Sequence, residues 1–87
     1  MTYYLYLLRC SDHSLYCGQT KDLKRRIKEH NEGKVKSAKY TRGRRPVKLV
    51  YWESHKTIGS VLKREAQIKR LTKKKKEDIV SDYKIGI

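Results

Sequence analysis

Arg26 and His30 stand four residues apart, interleaved with Leu23 and Ile27. The four follow an i, i+3, i+4, i+7 spacing, which on a helix puts every one of them on the interior stripe. Ile58, Val61, Leu62 and Glu65 repeat the rule further on and bring a carboxylate to the inward side of a second helix. A buried charge is costly unless it is paired or bound to a metal. Two explanations are open at this point. Arg26 and Glu65 could form an ion pair that closes the two helices on each other, or these groups could belong to a site where anions are held and protons moved. Two tyrosines join them. Tyr6 ends the triplet Tyr4-Leu5-Tyr6, and Tyr16 begins Tyr16-Cys17-Gly18 ten residues later.

The elements that must carry these residues can be read from pattern. Tyr3 to Arg9 is apolar on both alternating faces, as in a strand covered on both sides. Ser11-Asp12-His13-Ser14 is turn chemistry, and Leu15 to Gly18 reads as a second strand in hairpin with the first. Thr20 or Asp22 can cap the helix that carries Arg26 and His30, and Gly33 can end it, with Lys24, Arg25, Lys28 and Glu29 pointing away from the interior. Lys34 to Arg45 holds six Lys or Arg and no acid, and reads as a basic loop with a turn of helix around Ser37 to Thr41. Pro46 opens a third strand, Val47 to Glu53, in which Tyr51 and Trp52 read as core. Thr57 caps a second long helix with Ile58, Val61, Leu62, Ala66 and Ile68 on its apolar side. Thr72 caps a short third one, whose Ile79 and Val80 pack back. His13 and His55 read as surface residues of turns. The sum is an α+β fold: one domain over residues 1–87, with a three-stranded, mostly antiparallel sheet flanked by helices.

Composition points to the partner. The 87 residues include 23 Lys and Arg against nine Asp and Glu, a formal charge of +14. Such an excess costs stability through self-repulsion and is relieved by a polyanion, most often nucleic acid. No apolar run approaches the length of a membrane span, and no lipid-facing aromatic stripe accompanies the basic stretches. The first residues lack the pattern of a signal peptide. Cys10 and Cys17 lack metal-site spacing, so free buried thiols in a reducing cytoplasm are expected. Nothing in the sequence calls for an obligate protein partner.

The ordered set of motifs resembles the GIY-YIG nuclease superfamily, in particular its small stand-alone bacterial members. It comprises Leu7-Leu8-Arg9-Cys10-Ser11, Ser14-Leu15-Tyr16, Arg25 to Asn31, Lys39 to Val47 and Arg64 to Leu71, and so covers nearly the whole chain. The resemblance implies a DNA endonuclease that hydrolyses phosphodiesters with one divalent ion, Mg²⁺ or Mn²⁺. It implies that Tyr6 and Tyr16 are the motif tyrosines, Arg26 the helix arginine, His30 the imidazole one turn on, and Glu65 the single metal ligand. The residue types suit that work. Magnesium takes oxygen ligands and keeps several waters, so one carboxylate plus a substrate phosphate can hold it. A guanidinium can neutralise the charge that builds on the phosphoryl group. Tyr6 would act as general base or orient the attacking water, with His30 as proton acceptor beside it; otherwise His30 is the base, since a tyrosine of ordinary pKa, about 10, is a poor one. Tyr16 would position by hydrogen bonding, and Gly18 would allow a close backbone approach.

Several departures from the family pattern are visible. Tyr4 and Leu5 replace the first motif's glycine and isoleucine, and Cys17 replaces the second motif's isoleucine. The asparagine that many members carry after the glutamate is absent, because the chain's one asparagine, Asn31, precedes Glu65. Gln67 falls on another helix face, and Glu53 is a weak second carboxylate. A shared site also sets a geometrical condition. A two-residue Asp12-His13 loop would put Tyr6 and Tyr16 on opposite sheet faces, so an odd-length loop or a β-bulge is expected. Lys39, Tyr40, Arg42, Arg44 and Arg45 combine cations with an aromatic, as nucleic-acid contacts do. Most of the Lys73 to Lys76 run reads as a solvated face. The rival to the enzyme is a non-catalytic nucleic-acid-binding module that keeps the fold.

Overall fold

A computed structural model describes residues 1–33 and 39–82. Strands β1 (Tyr3–Arg9), β2 (Leu15–Thr20) and β3 (Lys48–His55) form one sheet in the order β2-β1-β3, and both pairings are antiparallel. The most apolar strand is the central one, with Leu5, Tyr6, Leu7 and Leu8 all buried. Its two faces are covered by different helices. Helix α1 (Leu23–Glu32) lays Leu23 and Ile27 on the side of Tyr6 and Leu8, together with Cys10, Val47 and Trp52. Helices α3 (Ile58–Lys69) and α4 (Lys73–Asp82) cover Leu5, Leu7 and Cys17 with Val61, Ile68, Leu71, Ile79 and Val80. A short helix, α2 (Lys39–Arg42), packs beside α1. Ser37, where the expected turn of helix begins, lies outside the described residues.

The caps follow the sequence. Asp22 accepts a hydrogen bond from the Arg25 amide at 3.1 Å, Thr57 from Ser60 at 3.1 Å, and Thr72 from Lys75 at 3.2 Å. Gly33 ends α1 at φ 66°, a left-handed conformation, and the Arg45 guanidinium occupies the space a side chain there would need.

The β1–β2 hairpin turns on three residues, Ser11, Asp12 and His13. It is closed by Cys10 N–H to Ser14 O at 2.9 Å and His13 N–H to Cys10 O at 3.0 Å. His13 adopts φ 68°, as the last residue of such a loop does. The odd length sets the register: Tyr6 faces Gly18 and Leu8 faces Tyr16, so both motif tyrosines lie on one sheet face. On the other edge, the register between β1 and β3 shifts between Leu7 and Leu8. That bulge lets Leu49 and Trp52, an odd distance apart, join the same face.

Four local expectations are corrected. The third strand begins at Lys48 and ends at His55, not at Val47 and Glu53, because Val47 is engaged by a side chain. Asn31 accepts from its N–H at 2.7 Å and donates to its C=O at 3.1 Å. The buried stripe of α3 is Val61 and Ile68, with Arg64 and Glu65 half-buried beside it; Ile58 and Leu62 are each 45% exposed and Ala66 is exposed. The helix is rotated relative to the expected face because its neighbour is the sheet's Leu5–Leu7 side alone. Glu29, expected to point away, is half-buried and bound to Arg26. His55 is no turn residue: it ends β3, half-buried, between Ser60 Oγ at 2.6 Å and Glu53 Oε2 at 2.5 Å.

Candidate active site

The tyrosine face of the sheet carries a chain of buried polar groups. The Tyr6 hydroxyl and His30 Nε2 are 2.9 Å apart, and His30 Nδ1 lies 2.7 Å from the Thr41 hydroxyl. Tyr6, His30 and Thr41 are each 0–1% exposed. Helix spacing explains His30, one turn after Arg26 on the inward stripe of α1. Strand register explains Tyr6, which projects over Gly18. A β-carbon at position 18 would sit 2.5 Å from the Tyr6 hydroxyl, so glycine is what leaves room for the phenol. The close approach expected at Gly18 is therefore made by this side chain.

Arg26 donates to Glu29 Oε1 at 3.0 Å, and its positive charge lies near enough to the same phenol to act on it. Tyr16 lies on the open side of this group, half-buried, with its ring edge-on to His30 at 5.3 Å and tilted against Tyr6 at 6.5 Å. The Tyr40 ring stacks on Tyr16 at 5.7 Å, and the Arg44 guanidinium lies over the Tyr40 ring at 4.0 Å.

Burial sets the protonation states. It holds the Tyr6 phenol well above the ordinary tyrosine value; nearby Tyr16 adds to the shift and Arg26 opposes it. Burial, with the Arg26 charge, pushes His30 down from 6.5 to about 4, so the imidazole is neutral at pH 7. A neutral imidazole and a neutral phenol satisfy both hydrogen bonds in one arrangement: Nδ1–H donates to Thr41 Oγ1, and Tyr6 O–H donates to Nε2.

Glu65 arrives from the opposite side of the sheet, on α3, around the β2 edge. Its carboxylate is half-buried and pairs with Lys69 at 3.4 Å. It is close enough to Tyr16 and Cys17 for its charge to add to the effect of burial in raising both. Arg26 and Glu65 thus pair within their own helices, with Glu29 and Lys69, and the ion pair between helices is not how their charges are met. Glu53 is engaged by Tyr51 and His55, both at 2.5 Å, and by Arg64 at 3.1 Å. Among the described residues no group of three or more His, Cys, Asp or Glu could together hold a metal. A single oxygen ligand at the edge of an open site suits magnesium, which brings its own waters and a substrate phosphate. The Lys69 side chain that pairs with Glu65 is 54% exposed.

A match to the family model described as the GIY-YIG catalytic domain spans residues 2–78. The chain belongs to the GIY-YIG family. Its relatives include a UPF0213 protein of Haloquadratum walsbyi, 48% identical over 92% of this chain and 88% of that one. A UPF0213 protein of Bacillus velezensis is 48% identical over 93% and 80%. Two solution NMR structures are similar to this GIY-YIG chain. The UPF0213 protein from Bacillus halodurans has a TM-score of 0.60 at 44% identity, covering 93% of this chain and 84% of that one. A protein from E. faecalis has a TM-score of 0.63 at 38% identity, over 94% and 85%. The α+β fold and membership of the GIY-YIG family are thereby established, and that catalytic domain suggests a nuclease-type function. Among the described residues no helix is long and apolar enough to cross a membrane.

The residues expected to meet DNA divide in two. Lys39 and Arg42 are exposed and in no ion pair among the described residues. Arg44 instead binds Asp12 at 2.9 Å and the Tyr40 carbonyl at 2.8 Å, while Arg45 takes the carbonyls of Arg42, Asn31 and Glu32 at the end of α1. Tyr40 stacks on Tyr16 and lies under Arg44, so it serves as a buttress. Sequence reading missed Thr41, Asp12 and Glu29. Thr41 stands in a basic run that carries no periodic signal, and its role exists only once α2 meets His30.

Proposed function

We propose that residues 1–87 act as one divalent-metal-dependent DNA endonuclease, a cytoplasmic phosphodiester hydrolase with Tyr6, Tyr16, Arg26, His30 and Glu65 at its centre. The observation that carries this reading is the buried Tyr6–His30–Thr41 hydrogen-bond chain, with the Arg26 charge beside it.

The chemistry follows from those contacts. Neither Tyr6 nor His30 is a strong base alone. Together they relay: Tyr6 passes its proton to Nε2 as its oxygen takes one from the attacking water, and an isolated tyrosinate never has to persist. The Arg26 guanidinium favours negative charge on the phenol oxygen and can reach the phosphoryl oxygens. An incoming phosphodiester adds negative charge and offsets the cation that helps hold His30 low, so the imidazole becomes a better acceptor when substrate is bound. Tyr16, fixed between His30 and Tyr40, would orient the scissile phosphate. Glu65 would hold Mg²⁺ or Mn²⁺, which when bound polarises the phosphoryl oxygen and stabilises the leaving oxygen. Lys39 and Arg42 would draw the DNA backbone to the same surface, with no protein partner required.

A second reading has a specific observation behind it. Glu65 is neutralised by Lys69, and Asn31, the chain's one asparagine, is spent on the Val47 backbone. That combination suits a binding module with the nuclease fold and little turnover. A nicking assay separates the two. Supercoiled plasmid and flapped DNA with Mg²⁺ or Mn²⁺ should be cut by the native chain, and cutting should vanish with Glu65→Ala or EDTA while DNA binding persists. Binding without cleavage under every metal would leave the module as the answer.

A further inference from the structure

Helix α4 begins with four lysines, two of which turn toward the site. Lys73 and Lys76, one turn apart, close a cavity of about 190 Å³ with Ser14 and Leu15 of the hairpin and with Tyr40. Lys76 is half-buried there, and its charge reaches Cys17, the neighbour of Tyr16, alongside the charges of Glu65 and Lys69. Neither Lys73 nor Lys76 is in an ion pair among the described residues. The nearest acid on the hairpin is Asp12, already bound by Ser14 at 2.5 Å and Arg44 at 2.9 Å. The wall contributed by Tyr40 is shared with the candidate site, since the same ring stacks on Tyr16.

We propose that this cavity is a phosphate subsite, which takes a backbone phosphate of the nucleic-acid strand beside the scissile one. It rests on the nuclease reading above and adds where the strand runs: across Tyr16 and Tyr40 to the start of α4. Three elements converge on two cations; no acid lines the cavity, and Glu77, one turn after Lys73, is already paired with Arg9. Leu15 and the Tyr40 ring form the apolar part of the lining, which favours a fixed ion over a freely hydrated one. Lys74 and Lys75, by contrast, fall on other sides of the helix, away from the residues that line the cavity.

The pair of doubles K73Q/K76Q and K74Q/K75Q removes equal charge from different faces of one helix. Binding of a short DNA duplex would be followed by fluorescence anisotropy in EDTA, over a series of salt concentrations, with circular dichroism to check folding. K73Q/K76Q is expected to reduce the slope of log affinity against log salt by about one, the value for a lost phosphate contact, and K74Q/K75Q by clearly less. The single K73Q, at an exposed position, reads the same direction if the double perturbs α4. Equal losses in both doubles, or an unchanged slope in K73Q/K76Q, would overturn the subsite. Because no metal is present, turnover does not enter. A native chain that fails to bind DNA would sink the nuclease reading as well, whereas binding with no difference between the doubles sinks only the subsite.

Discussion

On one face of β1, Leu5 and Leu7 meet Cys17, Val61 and Ile68; on the other, Tyr6 meets Gly18, His30 and Arg26. Both interiors are equally dry, yet they are built from opposite materials. The first gains from every apolar contact and contains nothing that titrates near neutrality. The second buries a phenol and an imidazole that each need a partner, and α1 and α2 supply those partners at 2.9 and 2.7 Å. The contrast teaches a division of labour within one strand: alternate residues hold the fold and hold the chemistry.

The comparison can be broken most strongly on the apolar side. Leu7→Ala should lower unfolding free energy by about 2–5 kcal/mol in a denaturant titration, since the residue is fully buried and its surroundings cannot collapse completely. Its neighbour gives the opposite profile. Tyr6→Phe keeps the ring, so it should cost about 1–2 kcal/mol for the acceptor left at His30, while plasmid nicking falls by about a hundredfold or more.

Acid is the next lever. His30 binds its proton at 6.5 when unfolded and at about 4 when folded. Its folded pKa is lowered, so the unfolded chain takes up the proton first. Stability is therefore full above pH 6.5 and declines as pH falls toward 4, by about 3 kcal/mol in all. Thermal unfolding across that window should show the loss, and His30→Gln should flatten it. The carboxylates held low by partners, Glu53 beside Tyr51, His55 and Arg64 and Glu77 beside Arg9, begin to act as pH falls through 4.5, so the slope above that value reports His30. A wild-type profile with no slope between 6.5 and 4 would mean that His30 is not buried neutral.

The smallest effect lies at the rim of the tyrosine face. The Asp12–Arg44 pair is exposed by 46% and 39%, so Asp12→Ala should leave stability nearly unchanged. Nicking should nonetheless slow, because Arg44 would lose one of the two holds that keep it over Tyr40. Melting curves and the plasmid assay on one preparation would read both.

Much of this arrangement was legible because periodicity survives folding. The Leu23–Arg26–Ile27–His30 spacing put guanidinium and imidazole inward, and the demand that Tyr6 and Tyr16 share a face called for an odd-length loop or a bulge, which the three-residue hairpin supplies. Caps at Asp22, Thr57 and Thr72 were local and readable for the same reason. The rotation of α3 was not, because Ile58 and Leu62 satisfy an apolar pattern as well as Ile68 does, and only the sheet decides between them. Long-range partners were equally hidden: Thr41 for His30, Asn31 for Val47, Arg45 for the end of α1. Each is a polar residue in a polar stretch, with nothing in the one-dimensional pattern to say which neighbour it finds.

The Tyr6–His30–Thr41 chain has one further property. It begins at the candidate site and runs inward, and both of its inner members are completely shielded from solvent. Two ends open to water would make it a wire, able to carry protons through the protein. With its inner members sealed from solvent it would behave as a capacitor in the proposed reaction. A proton stored on His30 during attack would be held until it could leave by the oxygen through which it came, so the same phenol that charged the store would discharge it before the next turnover.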